Sequence, residues 1–297
     1  MKKNKLITIL TWIWVIAAII AIIVYFDRYY QSAIDYVEKV NVLNLIIATA
    51  LIFITRILNV DLIRESVQEV GWVPTFKEMI ALVSFSQLGK YIPGGVWQYA
   101  ARYGVYKENN LSLKSMGKAF LLENIWVVFG GAMSGLILLS ISAPTDFLAR
   151  FHFILSRFAQ LIVALSLFIV WVFGLVVIQK LFHKSSLRVC FSRVLRLLIS
   201  QSLMFFLMGL SFSLLFPNLA IRDFLFTIGG YIVSYVVGYL AIFAPGGLGV
   251  REVVSVAFFT GMIPIGELTA LTLVHRLLYT VVEFVMGLYG FIYTKKK

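Results

Sequence analysis

Ionisable side chains are scarce in this sequence, yet eight of them fall inside or beside long apolar runs: Lys90, Arg102, Glu123, Arg251, Glu252, His275, Arg276 and Glu283. A charge in hydrocarbon is costly, so residues of this kind face a cavity or one another and mark ion or substrate paths. The chemistry they suit is anion recognition. Lys90, Arg102 and Arg251 supply full positive charges, and Glu123 and Glu283 can balance or gate that charge. His275, Tyr279 and Glu283 recur at i, i+4 and i+8 with Arg276 beside them, which makes one polar stripe on a helix. The structural alternative for the stripe is an internal ion pair, Arg276 with Glu283 or Glu252, that holds a bundle together.

Two helix-breaking turns would position these groups. Proline removes a backbone donor and glycine has little helical preference, so Pro93-Gly94-Gly95 and Pro245-Gly246-Gly247 each end one helix and begin another. Pro245 follows Pro93 by 152 residues, about half of the 297-residue chain, which is the spacing of a duplicated fold. Glu123 and His275 each lie thirty residues after their respective prolines, so a repeat would set them at equivalent depths. A helix starting after such a turn points its positive end and unpaired N–H groups at the break, where a phosphate can bind. The turns could also be packing breaks alone. The Gly130, Gly131 and Gly135 cluster reads as close helix packing.

With 61% hydrophobic and 13% charged residues, the chain is far more apolar than a soluble domain needs. It reads as one all-α polytopic membrane domain over 1–297. Spans are expected at about 6–26, 41–58, 119–141, 155–179, 197–216 and 268–293, each long enough for a hydrocarbon core of about 30 Å. Leu6 to Phe26 is too long, and lacks the cleavage site, for a signal peptide.

Basic residues orient the spans, because Lys and Arg in short loops favour the cytoplasm. Both termini then lie inside. The 56–77 loop and the strongly basic 180–196 loop are expected on the same side. Regions 76–106 and 223–263 become re-entrant helical hairpins that enter from opposite faces, since a full crossing by 76–92 would place Lys107, Lys114 and Lys118 outside. The stretch 223–244 is nevertheless long enough to span by itself. The result is six spans and two hairpins in an inverted-topology repeat, about 1–141 and 155–297, an arrangement found in secondary transporters.

Several classes are excluded by composition. One cysteine, Cys190, permits no internal disulfide, and His152, His183 and His275 are too scattered for a metal cluster. The net charge of +12 sits mostly in loops beside apolar spans, where it serves orientation and anionic lipid, not nucleic acid. No Gly-x-x-x-x-Gly-Lys-Ser/Thr loop is present, so no ATP or other cofactor is implied. The Phe, Tyr and Trp residues read by default as interfacial anchors and lipid-facing bulk.

Pro245-Gly246-Gly247-Leu248-Gly249-Val250-Arg251-Glu252, with Gly89-Lys90-Tyr91-Ile92-Pro93-Gly94-Gly95, resembles the transmembrane region of lysylphosphatidylglycerol synthases and the stand-alone membrane proteins of that family. In the full-length synthases this region is a flippase joined to a soluble aminoacyl transferase domain. The chain here ends at Lys297 without such a domain, so the resemblance implies translocation and not aminoacyl transfer.

The leading expectation is therefore a lipid translocase in the cytoplasmic membrane, not itself an enzyme. Its partner would be an anionic phospholipid or a polyprenyl-phosphate-linked sugar. Two further readings stand beside it. One is a membrane-embedded glycosyltransferase, for which Asp35 and Glu38 are the carboxylate pair of the first external loop. The other is a scaffold that recruits a separate synthase or glycosyltransferase through the basic 180–196 loop.

Overall fold

The computed structural model describes residues 40–91, 97–144, 156–182, 187–241, 244–247 and 249–295, together with Asp35, Glu38 and Phe147. Among them every regular element is helical, apart from an isolated bridge between Thr260 and Ile263. The expected span Leu6 to Phe26 and the turn Pro93-Gly94-Gly95 lie outside the described residues.

Helix α1 (Val42–Gln68) starts where the Asn41 side chain accepts the Leu43 N–H at 2.8 Å. It runs past the expected boundary at 58, because no glycine or proline interrupts residues 41–70; Gly71, at φ 97°, follows its end. The expected 56–77 loop is thus largely helix, and Arg56 lies at mid-helix. Helix α2 (Phe76–Gln87) opens on a capping box of Thr75 and Glu78 and leads into a 3-10 turn, Leu88–Tyr91. Helix α3 (Trp97–Glu108) follows, then α4 (Leu113–Ser142), capped by Ser112.

The second half contains α5 (Arg157–Phe182), α6 (Leu187–Ser213), α7 (Ile221–Leu240), a 3-10 turn Pro245–Gly247, α8 (Val250–Phe259) and α9 (Ile265–Lys295). The expected basic loop at 180–196 is mostly the end of α5 and the start of α6. Two of its arginines pack on the acidic face of α1: Arg196 meets Asp61 and Glu65 at 2.9 Å, and Arg193 meets Glu69 at 3.4 Å.

Among the described residues six helices are long and apolar enough to cross a membrane: α1, α4, α5, α6, α7 and α9. Five coincide with expected spans. The sixth, α7, is the stretch the sequence reading assigned to a hairpin arm, and at 20 residues it is about 30 Å long.

Close approaches fix how the helices lie. A Cβ on Gly135 would sit 3.2 Å from the Gly229 carbonyl, and one on Gly131 would strike Val236 and Phe205, so α4 and α7 meet through small residues as expected for the glycine cluster. Gly89 lies against Trp97 and Gln98, while Tyr106 packs on Trp72 with ring centroids 5.4 Å apart. Helix α3 therefore returns along α2 to the end where α2 began. Gly238 faces Arg251, and Gly230 faces Phe259, so α8 likewise folds back along α7. Helix α2 lies on the C-terminal half of α9, with Leu88 against Gly287 and Phe85 against Gly290. The expectation that aromatics are peripheral holds for exposed residues such as Phe53, Trp97, Phe158, Phe173 and Phe284, but not for Tyr106, Trp126, Phe205, Phe212, Tyr231 and Phe259, which are fully buried. They fill gaps between helices that the small residues alone would leave.

Candidate anion-binding site

The 3-10 turns of the two halves, Leu88–Tyr91 and Pro245–Gly247, pack against each other at the middle of the bundle. Around their meeting point a small cavity of about 20 Å³ is lined by Arg56, Lys90, Tyr91, Tyr235, Gly246, Arg251, Arg276, Tyr279, Thr280 and Glu283. That volume holds about one water molecule. Arg56 lies about 21 Å along α1 from Val42, and Glu283 about 18 Å back along α9 from Lys295. Both are near the midpoints of their helices.

Each charged group reaches the cavity for a local reason. Glu283 accepts from Lys90 Nζ at 2.5 Å and from the Tyr91 hydroxyl at 2.6 Å, and Arg56 lies 3.4 Å away. The turn after α2 thus delivers Lys90 and Tyr91 to α9. Arg276 bonds Glu252 at 2.6 Å and donates to the Gly246 carbonyl at 3.2 Å, so it holds the second turn in place. Gly246 and Gly247 have φ of 58° and 72°, a left-handed backbone that glycine adopts without strain. A Cβ on Gly247 would also strike the Gly238 carbonyl at 2.7 Å.

Arg251 differs from the other cations. It is the second residue of α8, whose first turn has no side-chain cap. Its guanidinium lies over the Tyr235 ring at 4.5 Å; among the described residues it pairs with no carboxylate, and its buried Nε has no hydrogen-bond partner. Four cations, Arg56, Lys90, Arg251 and Arg276, therefore face two carboxylates, Glu252 and Glu283. Among the described residues two positive charges are thus left uncompensated beside a helix N-terminus.

The other expected site residues that the structure describes lie elsewhere. Arg102 and Glu123 form a bidentate pair at 2.7 and 2.8 Å, both buried, with the guanidinium against the rings of Tyr99 and Phe120. Next to it, Asn124 accepts from Tyr99 at 3.1 Å and from Tyr239 at 2.8 Å, tying α3, α4 and α7 together. This is a saturated clasp.

His275 is fully buried between Ser211 and Tyr231, each at 2.8 Å. Ser211 already donates to the Met208 carbonyl, so it accepts from Nε2–H, and the Tyr231 hydroxyl donates to Nδ1. One ring proton satisfies the set. Phe212, Tyr231, Phe259 and His275 form an aromatic layer in which Phe212 stacks on Tyr231, centroids 4.2 Å apart, and His275 meets both edge-on. Near that layer, at the end of the bundle where α7 and α9 begin, is an open vestibule of about 760 Å³ that includes Asp223, Phe226, Phe258 and Glu267.

Of the residues that the sequence singles out, Lys90, Gly246, Arg251, Arg276 and Glu283 line this cavity and Glu252 pairs with Arg276, whereas Arg56, Tyr91 and Tyr235 were not among them. The unbroken run 41–70 was the available signal for Arg56, because a helix without glycine or proline carries it into the interior. Among the described residues no group of His, Cys, Asp and Glu is arranged to hold a metal. Comparison with protein-family models and with curated proteins finds no match for the chain.

Proposed function

We propose that this chain is a membrane lipid translocase that carries an anionic phospholipid or a polyprenyl-phosphate-linked sugar between leaflets, as its resemblance to the lysylphosphatidylglycerol synthase membrane region implies. The observation that carries this reading is the excess, among the described residues, of two positive charges at mid-depth, where Arg251 has no carboxylate partner. A phosphate leaving water must exchange its hydration for fixed donors. Arg251, Lys90 and the uncapped start of α8 supply such donors; Glu283 and Glu252 hold the neighbouring cations in position while the site is empty.

Re-entrant hairpins in an inverted repeat fit the helix lengths. Helices α2 and α3 have 12 residues each, about 18 Å, and α8 has 10, about 15 Å, all too short for a core of about 30 Å. Helix α7 is long enough to cross, so the second hairpin is asymmetric. Basic residues at the ends of α5 and α9 favour a cytoplasmic-membrane protein with both termini inside.

A second reading, a membrane-embedded glycosyltransferase, is favoured by the vestibule, where Asp223 and Glu267 line an open cavity large enough for a sugar. The scaffold reading loses support because Arg193 and Arg196 are engaged within the chain.

The test follows a fluorescent phosphatidylglycerol analogue between leaflets of vesicles holding only the purified protein. Flux above that of protein-free vesicles is expected. Arg251→Gln removes charge-assisted hydrogen bonds worth about 1.5–3 kcal/mol, so flux should fall roughly 10- to 100-fold with the yield of folded protein unchanged. Flux equal to protein-free vesicles, with consumption of a polyprenyl-phosphate sugar donor and a new glycoside, would replace the translocase by the enzyme.

A further inference from the structure

We infer that the apolar groove between α1 and α9 holds an acyl chain of the lipid whose phosphate occupies the cation cluster, a step that rests on the anion-binding reading above. The groove has a volume of about 650 Å³ and is lined on α1 by residues from Val42 to Ile54 and on α9 by Val281, Val282 and Val285. That volume is in the range of ligand pockets. It opens outward, as Ile46, Phe53, Val281 and Val285 are 61%, 46%, 57% and 61% exposed. It is concave because Thr49 and Ala50 are small, and Thr49 offers no free donor, since its hydroxyl is spent on the Leu45 carbonyl at 2.7 Å.

Position relates the groove to the cluster. Thr55 meets Tyr279, Arg56 meets Glu283, and Val60 and Met286 share one cavity wall, so α1 and α9 run parallel. The groove follows α1 from its start to Ile54, and the next two residues, Thr55 and Arg56, face the cluster. The wall between them is thin: the Tyr279 hydroxyl donates to Thr55 at 3.2 Å, Thr55 itself donating to the Ile52 carbonyl, and Arg56 stands 3.4 Å from Glu283. Val281 and Val282 on the groove side alternate with Thr280 and Glu283 on the cavity side. From Val42 to Ile54 the groove is about 18 Å long, close to the roughly 15 Å hydrocarbon depth of one leaflet. A lipid with its phosphate at mid-depth and one chain in this groove lies half turned, the chain pointing toward the leaflet where α1 begins. A free anion would have no use for the groove, so the arrangement selects a lipid-borne phosphate.

The experiment uses the full chain in vesicles of phosphatidylcholine with about one-tenth phosphatidylglycerol. A benzophenone amino acid replaces Val281 or, as control, the outward Phe168 of α5, and lipid adducts are identified by mass spectrometry after illumination. Adducts at Val281 should be enriched in phosphatidylglycerol about five-fold over the vesicle, equivalent to about 1 kcal/mol of preference, and those at Phe168 should match it. Ala50→Phe fills the groove from an exposed position, and Arg251→Gln removes the phosphate partner; each should return Val281 adducts to the vesicle composition. Bulk composition at Val281, with Arg251-dependent flux retained, sinks the groove and leaves the translocase standing. Enrichment that survives Arg251→Gln also overturns the inference, because the chain would then be held without its headgroup. Arg251-dependent enrichment without any flux supports the groove and removes the translocase.

Discussion

Replacing Glu123 by Gln tests whether Arg102 and Glu123 are a clasp or part of a transport path. Both side chains are buried, at 0% and 4% exposure, and the carboxylate satisfies both guanidinium nitrogens at 2.7 and 2.8 Å. With Gln at 123, the Arg102 charge stays between the Tyr99 and Phe120 rings with no counter-charge. Breaking a buried pair in this way costs about 3–5 kcal/mol, which lowers the folded-to-unfolded ratio by roughly two to four powers of ten. That is a large share of a stability of about 5–15 kcal/mol. Removing both charges together, Arg102→Met with Glu123→Leu, should recover most of the loss, since apolar replacement of a buried pair is often neutral or stabilising. Unfolding in detergent measures the two single variants, the double variant and the parent, and flux is normalised to folded protein. A Glu123→Gln protein as stable as the parent would refute the clasp. A stable double variant without flux would refute it differently, by returning Arg102 and Glu123 to the transport path that the sequence reading gave them.

Two further outcomes are expected. Cysteines introduced singly at Ser115 and Ser142 stand at opposite ends of α4, about 40 Å apart, so an impermeant thiol reagent should reach Ser115→Cys from the cytoplasm and Ser142→Cys from outside; labelling of both from one side would end the assignment of α4 as a span. At Gly229 a Cβ would come within 3.0 Å of Leu138 and 3.1 Å of the Gly135 carbonyl, so Gly229→Val should force α4 and α7 apart at a cost of about 1–3 kcal/mol, read as a lower unfolding midpoint.

Long apolar helices were legible from the sequence because hydrocarbon demands uninterrupted apolar runs and little else competes with that signal. The polar stripe of α9 was legible for the same reason, since His275, Tyr279 and Glu283 stand out against an apolar background. Their partners were not. Sequence spacing left Arg276 a choice of Glu252 or Glu283, and only the turn at Gly246 brings Glu252 to it, while Lys90 and Tyr91 claim Glu283 from a distant part of the chain. Arg102 and Glu123 show a different ambiguity. Both lie near apolar runs and pair with each other, and two charges that satisfy each other carry the same sequence signature as two that wait for a ligand. Arg56 was assigned to a loop because its charge outweighed the continuity of the residues around it.

The two uncompensated positive charges at mid-depth also have an electrical consequence. One elementary charge crossing the whole transmembrane potential changes energy by about 2.3 kcal/mol per 100 mV, so two charges displaced through half of it are worth about the same. A rearrangement that carries the empty cluster toward either surface is therefore driven or opposed by the resting voltage. A doubly charged phosphomonoester or diphosphate headgroup cancels that charge and makes the loaded movement electrically silent. A phosphodiester with one negative charge leaves half of the sensitivity. Under the proposed translocase function, the voltage dependence of flux would report the charge of the headgroup carried.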